Sequence, residues 1–314
     1  MNLVETPLLP LPREVEAATA DWHLPLWLAD VQLLIKPRIS VMVLLTVAAG
    51  FIVSASSPIP WLLLFHTLVG TTGVACAASI LNQVLERRTD ALMQRTRERP
   101  IAAGRLGAGT ATRLGLVLGG LGLRYLAATT NLLTVAVAGA TLAIYVLVYT
   151  PLKTQTAWNT EVGAVPGALP PLIGAAAAAH TLTEGALALF AIIFLWQFPH
   201  FWAIAWMYRE DYARGGLVML PHADQAGGGL TGRLMFKTSL WLILASLVPT
   251  MEGAAGWIYL ATALLAGVGF AASTVVFWLR PTVDHARLVL RLSLVYLPTV
   301  LLLMLLDGPL RWRL

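Results

Sequence analysis

Residues 60–82 read PWLLLFHTLVGTTGVACAASILN, an apolar run that contains no Asp, Glu, Lys or Arg. A helix that crosses a bilayer needs about 20 consecutive and mostly apolar residues. The run meets that requirement, and a strongly polar stretch follows it directly. The sequence therefore predicts a membrane-spanning helix here, followed by a segment that lies in water.

Eight further apolar runs flank this one on both sides. The nine candidate spans are residues 39–57, 60–82, 107–126, 131–150, 162–180, 186–207, 235–252, 256–278 and 289–306. The run at 162–180 is the weakest of them because it is rich in Gly, Ala and Pro. Small residues of this kind let membrane helices approach each other closely. We therefore expect an all-α, polytopic membrane bundle of about nine transmembrane helices.

The overall composition agrees with a membrane protein. Of the 314 residues, 58% are hydrophobic and 12% are charged, whereas soluble domains carry about 45–50% and about 25%. The formal net charge is +5, but the basic residues lie in the short gaps between apolar runs, so they do not indicate a nucleic-acid partner. A single cysteine, Cys76, excludes an intrachain disulfide and a cysteine metal site.

The basic residues also predict the orientation of the chain. Of the 21 Lys and Arg residues, only Arg124, Arg311 and Arg313 fall on the side opposite the N-terminus when nine spans are counted. Cytoplasmic loops carry the excess of Lys and Arg. We expect a bacterial inner-membrane protein whose N-terminus and polar loops, 86–105 and 209–233, are cytoplasmic and whose C-terminus lies outside.

The chain is expected to have two parts. Residues 1–35 are predicted to be a cytoplasmic N-terminal tail that ends in a short surface helix near residues 22–30. Residues 36–314 are predicted to form a single transmembrane domain.

The first polar loop carries a stack of possible metal ligands. Residues 82–100 read NQVLERRTDALMQRTRERP, in which Asn82, Glu86 and Asp90 are four residues apart. On a helix they share one face, about 6 Å apart per step. An amide and two carboxylates suit Mg²⁺, which prefers oxygen ligands and often shares them with substrate phosphates. A solvated helix with internal Glu–Arg pairs would show the same spacing, so both interpretations stay open here.

A second acidic loop follows the sixth run. Residues 207–221 read MYREDYARGGLVMLP and place Glu210 and Asp211 beside Arg209 and Arg214. Taken alone, an ordinary charged loop would be the favoured interpretation. Two acid-and-base clusters on the same membrane face favour a shared site around one diphosphate, in which metal ions neutralise the leaving group.

Other polar residues near these loops are candidates for ligand binding. Arg95 and Arg99 follow the first acidic stack, and guanidinium groups pair well with phosphate. Tyr149 and Lys153 are four residues apart at the end of the fourth run, where the ammonium can reach a phosphate or simply anchor the helix at the membrane surface. His200, a polar ring within the sixth run, is a candidate ligand group, with a helix–helix hydrogen bond as the alternative.

These segments resemble the motifs of the UbiA-type intramembrane prenyltransferases. The first loop is similar to the family pattern N-x3-D-x3-D-x2-M-x-R-T-x2-R-P, with Glu86 in place of the usual Asp. The matching residues are Asn82, Asp90, Met93, Arg95, Thr96, Arg99 and Pro100. Lys36, Pro37 and Arg38 resemble the start of the family's first helix.

Two later segments extend the resemblance. Residues 149–174, YTPLKTQTAWNTEVGAVPGALPPLIG, are similar to the family's middle motif. Residues 196–221, WQFPHFWAIAWMYREDYARGGLVMLP, are similar to its second acidic motif. The PHFW and MLP segments favour the heme-modifying branch over the quinone and chlorophyll branches.

The resemblance implies a UbiA-like bundle with a cytoplasm-facing central cavity, which makes residues 36–314 a prenyltransferase domain. It also implies farnesyl transfer from farnesyl diphosphate to a vinyl group of heme b, with Mg²⁺ as cofactor. The implied catalytic residues are Asn82, Glu86, Asp90, Lys153 and Asp211. The implied diphosphate-binding residues are Arg38, Arg95, Arg99, Tyr149, Lys153 and Arg209. The implied magnesium ligands are Asn82, Glu86, Asp90, Glu210 and Asp211, and His200 is the implied heme-binding residue.

The expected partners are farnesyl diphosphate, heme b and the lipid bilayer, together with a heme A synthase or a terminal oxidase assembly. Two alternatives stay open. One is an aromatic-acceptor prenyltransferase of quinone biosynthesis, and the other, from a different class, is a transporter of an anionic solute. A transporter would also place basic residues at a cavity, but it has less need of an acidic stack and a second acidic loop.

Overall fold

The structure, a computed structural model, describes residues 26–308, and all regular elements within that range are helices. In chain order they are α1 (Leu26–Ile35), α2 (Pro37–Ser54), α3 (Trp61–Leu92), α4 (Ala108–Thr129), α5 (Leu132–Leu152), α6 (Asn159–Ala179), α7 (Glu184–Met207), α8 (Arg209–Arg214), α9 (Leu220–Ala223), α10 (Gly229–Met251), α11 (Trp257–Leu279) and α12 (Val283–Leu306).

Eight of the described helices are long and apolar enough to cross a membrane. They are α2, α3, α5, α6, α7, α10, α11 and α12. The remaining predicted span, residues 107–126, forms α4. Its 22 residues extend about 33 Å, although its glycines and threonines make it less apolar than the other helices. The chain is therefore an all-α integral membrane protein, and each of the nine predicted runs forms a helix.

Small residues bring several of these helices close together. A Cβ atom added at Gly122 of α4 would lie 2.8 Å from the carbonyl oxygen of Gly70 on α3. A Cβ at Gly174 of α6 would overlap the carbonyl oxygen of Val47 on α2. The prediction that small residues in the weakest run permit close packing is confirmed at Gly174.

Helix α5 is irregular at its C-terminal end. The segment Ile144–Tyr149 of α5 is a π-helix, and Pro151, which has no N–H to donate, follows in the last turn. The Thr150 hydroxyl donates to the carbonyl oxygen of Tyr145 at 2.8 Å. Widened turns of this type are frequent at functional sites.

The loops on the N-terminal side of the bundle contact each other. The Val218 amide donates to the Lys153 carbonyl at 2.8 Å, and the Gln94 amide donates to the Asp211 carboxylate at 2.8 Å. Contacts between the segments that follow α3, α5 and α7 agree with the even number of crossings predicted before each of them.

Helix α1 is docked against α3 rather than loosely attached. The Gln83 side-chain amide donates to the Leu34 carbonyl at 2.8 Å, and Arg105 pairs with Asp30. The predicted surface helix near residues 22–30 therefore extends to Ile35 within the described part, whereas residues 22–25 lie outside it, as does the predicted external C-terminus. Lys36, with a φ of 48°, separates α1 from α2.

Candidate active site

The acidic stack on α3 is buried. Asn82 is 1% exposed, Glu86 9% and Asp90 1%, and all three lie in the last three turns of a helix that ends at Leu92. The solvated face of the alternative interpretation is therefore wrong, because it would leave these side chains in water, whereas the Glu–Arg pairing of that interpretation is present between Glu86 and Arg99.

Cations from distant parts of the chain meet the two carboxylates. The Lys153 ammonium donates to Glu86 Oε1 at 2.5 Å. A guanidinium nitrogen of Arg99 donates to both oxygens of Asp90, at 2.8 and 2.7 Å, and lies 3.7 Å from Glu86 Oε2. Removing one partner of a buried pair leaves an uncompensated charge and is strongly destabilising. The two cations and the two carboxylates therefore hold each other in place.

Lys36 is a member of this group that sequence analysis missed. Its ammonium donates to Asn82 Oδ1 at 3.3 Å, and Asn82 Nδ2 donates to Thr150 Oγ1 at 3.0 Å. Arg38, the predicted residue, is exposed instead. Burial lowers the pKa of the Lys36 ammonium to about 7. The signal available in the sequence was its place directly before Pro37, where one helix ends and the next begins.

The buried charges form one group, which we name the deep cluster. It comprises Lys36, Asn82, Glu86, Asp90, Arg99 and Lys153. Arg99 and Lys153 balance the two carboxylates, and protonation of Lys36 adds a further positive charge, which suits an anion such as a phosphate.

The deep cluster fits a metal ion only in company with such an anion. Its amide and carboxylate oxygens are the ligand types that Mg²⁺ prefers, but Lys153 and Arg99 already pair with the carboxylates. Within residues 26–308, no group of three His, Cys, Asp or Glu side chains is placed to hold a metal. The donor set thus suits Mg²⁺ that shares its ligands with a diphosphate, rather than a closed protein cage.

Tyr149 supports Lys153 from one side. The ammonium lies 4.4 Å from the centre of the Tyr149 ring, a cation–π distance. The ring in turn occupies the space beside Gly163, where a Cβ atom would overlap it. Burial alone would lower the pKa of Lys153, but the Glu86 carboxylate outweighs burial and raises it. Lys153 therefore remains an ammonium at neutral pH.

Asp211, from the second acidic loop, lies beside the turn that follows α3. It is 6% exposed, and its carboxylate accepts from the amides of Gln94 at 2.8 Å and Arg95 at 3.3 Å and from Arg214 at 2.6 Å. Burial alone would raise the pKa of Asp211, but the Arg214 guanidinium and the two amides outweigh it and hold the pKa below its usual value. Asp211 thus ties α8 to the turn that carries Arg99.

The remaining predicted residues of the two polar loops lie at the surface of the site. Arg95 lies 5.3 Å from the ring centres of both Tyr208 and Tyr212, and Arg209 lies 4.9 Å from the Trp206 ring. The Glu210 side chain is 84% exposed and only 3.9 Å from Arg209. The structure therefore brings none of Arg95, Arg209 and Glu210 into the deep cluster.

An open cavity of about 510 Å³ lies at this surface and is lined by these residues. We name it the mouth cavity, and its polar lining includes Arg95, Tyr208, Arg209, Glu210, Asp211 and Arg214. Three guanidinium groups around one buried carboxylate make it suitable for the approach of an anion.

His200 lies elsewhere, within α7. Its Nδ1 atom is 2.7 Å from the Ser293 hydroxyl oxygen on α12, and the Trp196 ring stacks on the imidazole at 4.5 Å. The predicted alternative of a helix–helix hydrogen bond is therefore present. This bond occupies Nδ1 and leaves Nε2, so a heme-binding role for His200 stays a prediction.

Comparison with known proteins gives consistent results for sequence and fold. The model of the UbiA prenyltransferase family matches residues 43–295. The protoheme IX farnesyltransferase of Solibacter usitatus is 45% identical over 285 residues, which cover 88% of this chain and 97% of that protein. The protoheme IX farnesyltransferase of Salinibacter ruber is 42% identical over 282 residues, which cover 90% and 99%.

Solved structures share the fold at low sequence identity. A digeranylgeranylglyceryl phosphate synthase superposes with a TM-score of 0.76 at 16% identity, covering 90% of this chain and 99% of that one. A UbiA homologue from Archaeoglobus fulgidus, bound to DMAPP and Mg²⁺, superposes with a TM-score of 0.64 at 16% identity, covering 86% and 99%.

Proposed function

Because the chain belongs to the UbiA prenyltransferase family, we propose that it transfers a farnesyl group from farnesyl diphosphate to a vinyl group of heme b, giving heme O for terminal oxidases. The names and high identity of the relatives from Solibacter usitatus and Salinibacter ruber support heme b over an aromatic acceptor. The deep cluster is the structural observation that carries the proposal, because the positive charge added by protonated Lys36 suits a diphosphate.

We assign the diphosphate to Lys36, Arg99 and Lys153, with Tyr149 supporting the lysine. Asn82, Glu86 and Asp90 would hold Mg²⁺, which would neutralise charge on the leaving diphosphate. The Archaeoglobus fulgidus homologue, bound to DMAPP and Mg²⁺, supports a magnesium-dependent site.

The second acidic loop would complete the metal site. Asp211 is the nearer candidate because it already adjoins the turn that follows Asp90. Glu210 would have to rotate inward from its exposed position to become a ligand.

The reaction then needs three changes in bonding. The C–O bond of farnesyl diphosphate breaks, and its electron pair leaves with the diphosphate, which Arg99 and Lys153 stabilise as an anion. The vinyl π electrons form a C–C bond to the farnesyl cation. Water adds to the cation left beside the heme ring and loses a proton, which gives a hydroxyl group. The surrounding apolar helices keep water from the farnesyl cation before the C–C bond forms.

The predicted diphosphate-binding residues outside the deep cluster would act before the bond-breaking step. Arg95 and Arg209 line the mouth cavity, and Arg38 is exposed on α2. We assign all three to attraction and capture of the diphosphate at the entrance, since clusters of one charge raise the local concentration of the opposite one.

The excess of Lys and Arg on the N-terminal side supports an orientation in which the deep cluster and the mouth cavity face the cytoplasm, and we place the protein in the bacterial inner membrane. A heme A synthase or a terminal oxidase assembly would receive the product.

The decisive experiment measures the mass of the heme that is extracted from cells expressing the protein. We expect heme b enlarged by one farnesyl group and one hydroxyl group, and magnesium-dependent release of diphosphate by the purified protein. An Asp90→Asn variant provides the matched control. Unmodified heme together with a prenylated aromatic compound would overturn the choice of acceptor, and an absence of diphosphate release would overturn the enzymatic assignment.

A further inference from the structure

The contact between His200 and Ser293 is separate from the deep cluster and joins α7 to α12. The Ser293 hydroxyl oxygen lies 2.7 Å from His200 Nδ1 and 2.6 Å from the carbonyl oxygen of Leu290. The Trp196 indole donates to the Ser293 carbonyl at 2.8 Å and stacks on the imidazole. The ring plane is therefore held by Trp196, and one ring nitrogen is held by Ser293.

The positions of these atoms determine which nitrogen of the ring carries a proton. A serine hydroxyl has one proton, and a backbone carbonyl oxygen is only an acceptor. The short contact from Ser293 to Leu290 therefore requires the hydroxyl proton to lie between them. The same hydroxyl oxygen can then only accept from His200, so Nδ1 bears the N–H. A neutral imidazole carries a single ring proton, which leaves Nε2 with a free lone pair.

We propose that Ser293 is a positioning residue that holds His200 in the Nδ1–H tautomer, so that Nε2 is presented as the ligand to the iron of heme b. Histidine ligands of metals typically donate the other ring N–H to a fixed acceptor, which sets the tautomer and the ring orientation. The inference rests on the proposed function, because that function makes heme the acceptor substrate.

The location of the pair suits this role. His200 lies seven residues before Met207, which lines the mouth cavity, and seven residues of helix correspond to about 10 Å. Seven residues are close to two full turns, so both side chains lie on the same face of α7. A ligand bound at His200 would therefore lie about 10 Å along α7 from the mouth cavity. Val283 of α12 also lines this cavity, so α7 and α12 both connect it to the His200–Ser293 bond.

The tautomer can be measured without any heme. We would record ¹⁵N NMR spectra of the full-length, histidine-labelled protein in lipid nanodiscs and identify the His200 signals by their loss in His200→Ala. We expect a protonated Nδ1 and an unprotonated Nε2 in the wild type, and a mixture of tautomers in Ser293→Ala. A proton on Nε2 in the wild type would overturn the inference, and this reading needs no variant other than the one used for assignment.

A titration with ferric heme b, followed by absorbance, tests the second half of the proposal. We expect His200→Ala to change the Soret band and Ser293→Ala to weaken heme binding about tenfold, the usual scale for loss of a group that orients a metal ligand. Ser273→Ala is the matched control, because Ser273 is buried and donates to the Phe270 carbonyl at 2.6 Å but contacts no histidine. Farnesyl diphosphate binding should be equal in all variants and serves as the test of folding.

The outcomes separate this inference from the proposed function. If the wild type produces heme O but His200→Ala leaves the heme spectrum unchanged, only the inference fails. If Ser293→Ala binds heme as tightly as the wild type while His200→Ala does not, the role of Ser293 fails. If the wild type modifies no heme, the proposed function fails, and the NMR measurement still decides the tautomer.

Discussion

The acidic stack on α3 and the acidic pair on α8 face the same side of the bundle, yet their carboxylates have different partners. In the deep cluster, Glu86 and Asp90 meet side chains from the segment after α5 and from the turn after α3. On α8, Asp211 accepts from two backbone amides and from Arg214 of the same helix, and its neighbour Glu210 is exposed to solvent. Similar residue types therefore form a buried charged cluster in one region and mainly a connection between segments in the other.

This difference has a physical basis. The carboxylates of α3 follow a four-residue spacing on a long helix, so they share one face and one environment. Glu210 and Asp211 are adjacent on a helix of only six residues, so their side chains point in different directions. Of the adjacent acidic residues on α8, only Asp211 directs its carboxylate inward. The four-residue spacing on α3 directs both Glu86 and Asp90 inward.

Asp90→Asn should have the largest effect. The change removes the charge that pairs with Arg99 and, in the proposed function, a magnesium ligand, so kcat/KM should fall by on the order of 100-fold or more. The measurement is heme O formation by purified protein in nanodiscs. Asp30→Asn is the control, because it breaks a similar two-oxygen pair with Arg105 outside both acidic regions. Near-normal turnover in Asp90→Asn would remove the distinction between the two regions.

Asp211→Asn should have an intermediate effect with a different signature. An amide provides only one acceptor oxygen for the amides of Gln94 and Arg95, so both activity, by about tenfold, and thermal stability should fall. Because the pKa of Asp211 is lowered in the folded state, its contribution to stability is present above the unfolded-state pKa of about 3.9 and is lost as pH falls through the lower folded-state value.

The corresponding measurement is the difference in unfolding temperature between the wild type and Asp211→Asn, followed from pH 7 towards acid, with pH values below about 3.9 included. We expect the difference to narrow at the acidic end. A difference that is constant across the range would show that the charge of Asp211 does not stabilise the fold.

Glu86→Asp should have a smaller effect, because it restores the residue that the family pattern has at this position. The carboxylate is kept and only its reach towards Lys153 is shortened by one methylene, so we expect a loss of about two- to fivefold. Glu86→Ala provides the comparison and should be much more harmful, since it leaves Lys153 buried without its partner. Equal losses in the two variants, measured by kcat/KM, would indicate that Glu86 acts through packing.

Glu210→Gln should have the smallest effect, less than about threefold, because exposed ion pairs contribute little. The assay is again heme O formation, with the magnesium dependence recorded at several concentrations. A loss as large as that of Asp211→Asn, together with a weaker response to magnesium, would show that the loop rearranges and brings Glu210 into the metal site.

The helices at the nine apolar runs, eight of which are long and apolar enough to span a membrane, were predictable because each depends on local composition. The acidic stack was predictable because it depends on helical spacing. Helix α3 continues to Leu92, ten residues past the predicted end of the span, because the polar residues after 82 retain helical periodicity. Pro37 marked a helix boundary in the sequence, but the inward direction of the Lys36 side chain depends on the left-handed backbone at that residue, which the sequence does not show. The pairing of Lys153 with Glu86 spans 67 residues of sequence, and no local pattern contains it.

The length of α3 has a consequence for how the protein is made. Its 32 residues extend about 48 Å, whereas the hydrocarbon core is about 30 Å thick, so the acidic stack lies in the part that projects beyond the lipid. A ribosome that adds about 5–20 residues per second needs several seconds to pass from Glu86 to Lys153. During that interval the carboxylates can remain hydrated at the membrane surface. The overhang thus allows α3 to enter the bilayer before Lys153, which later pairs with Glu86, has been synthesised.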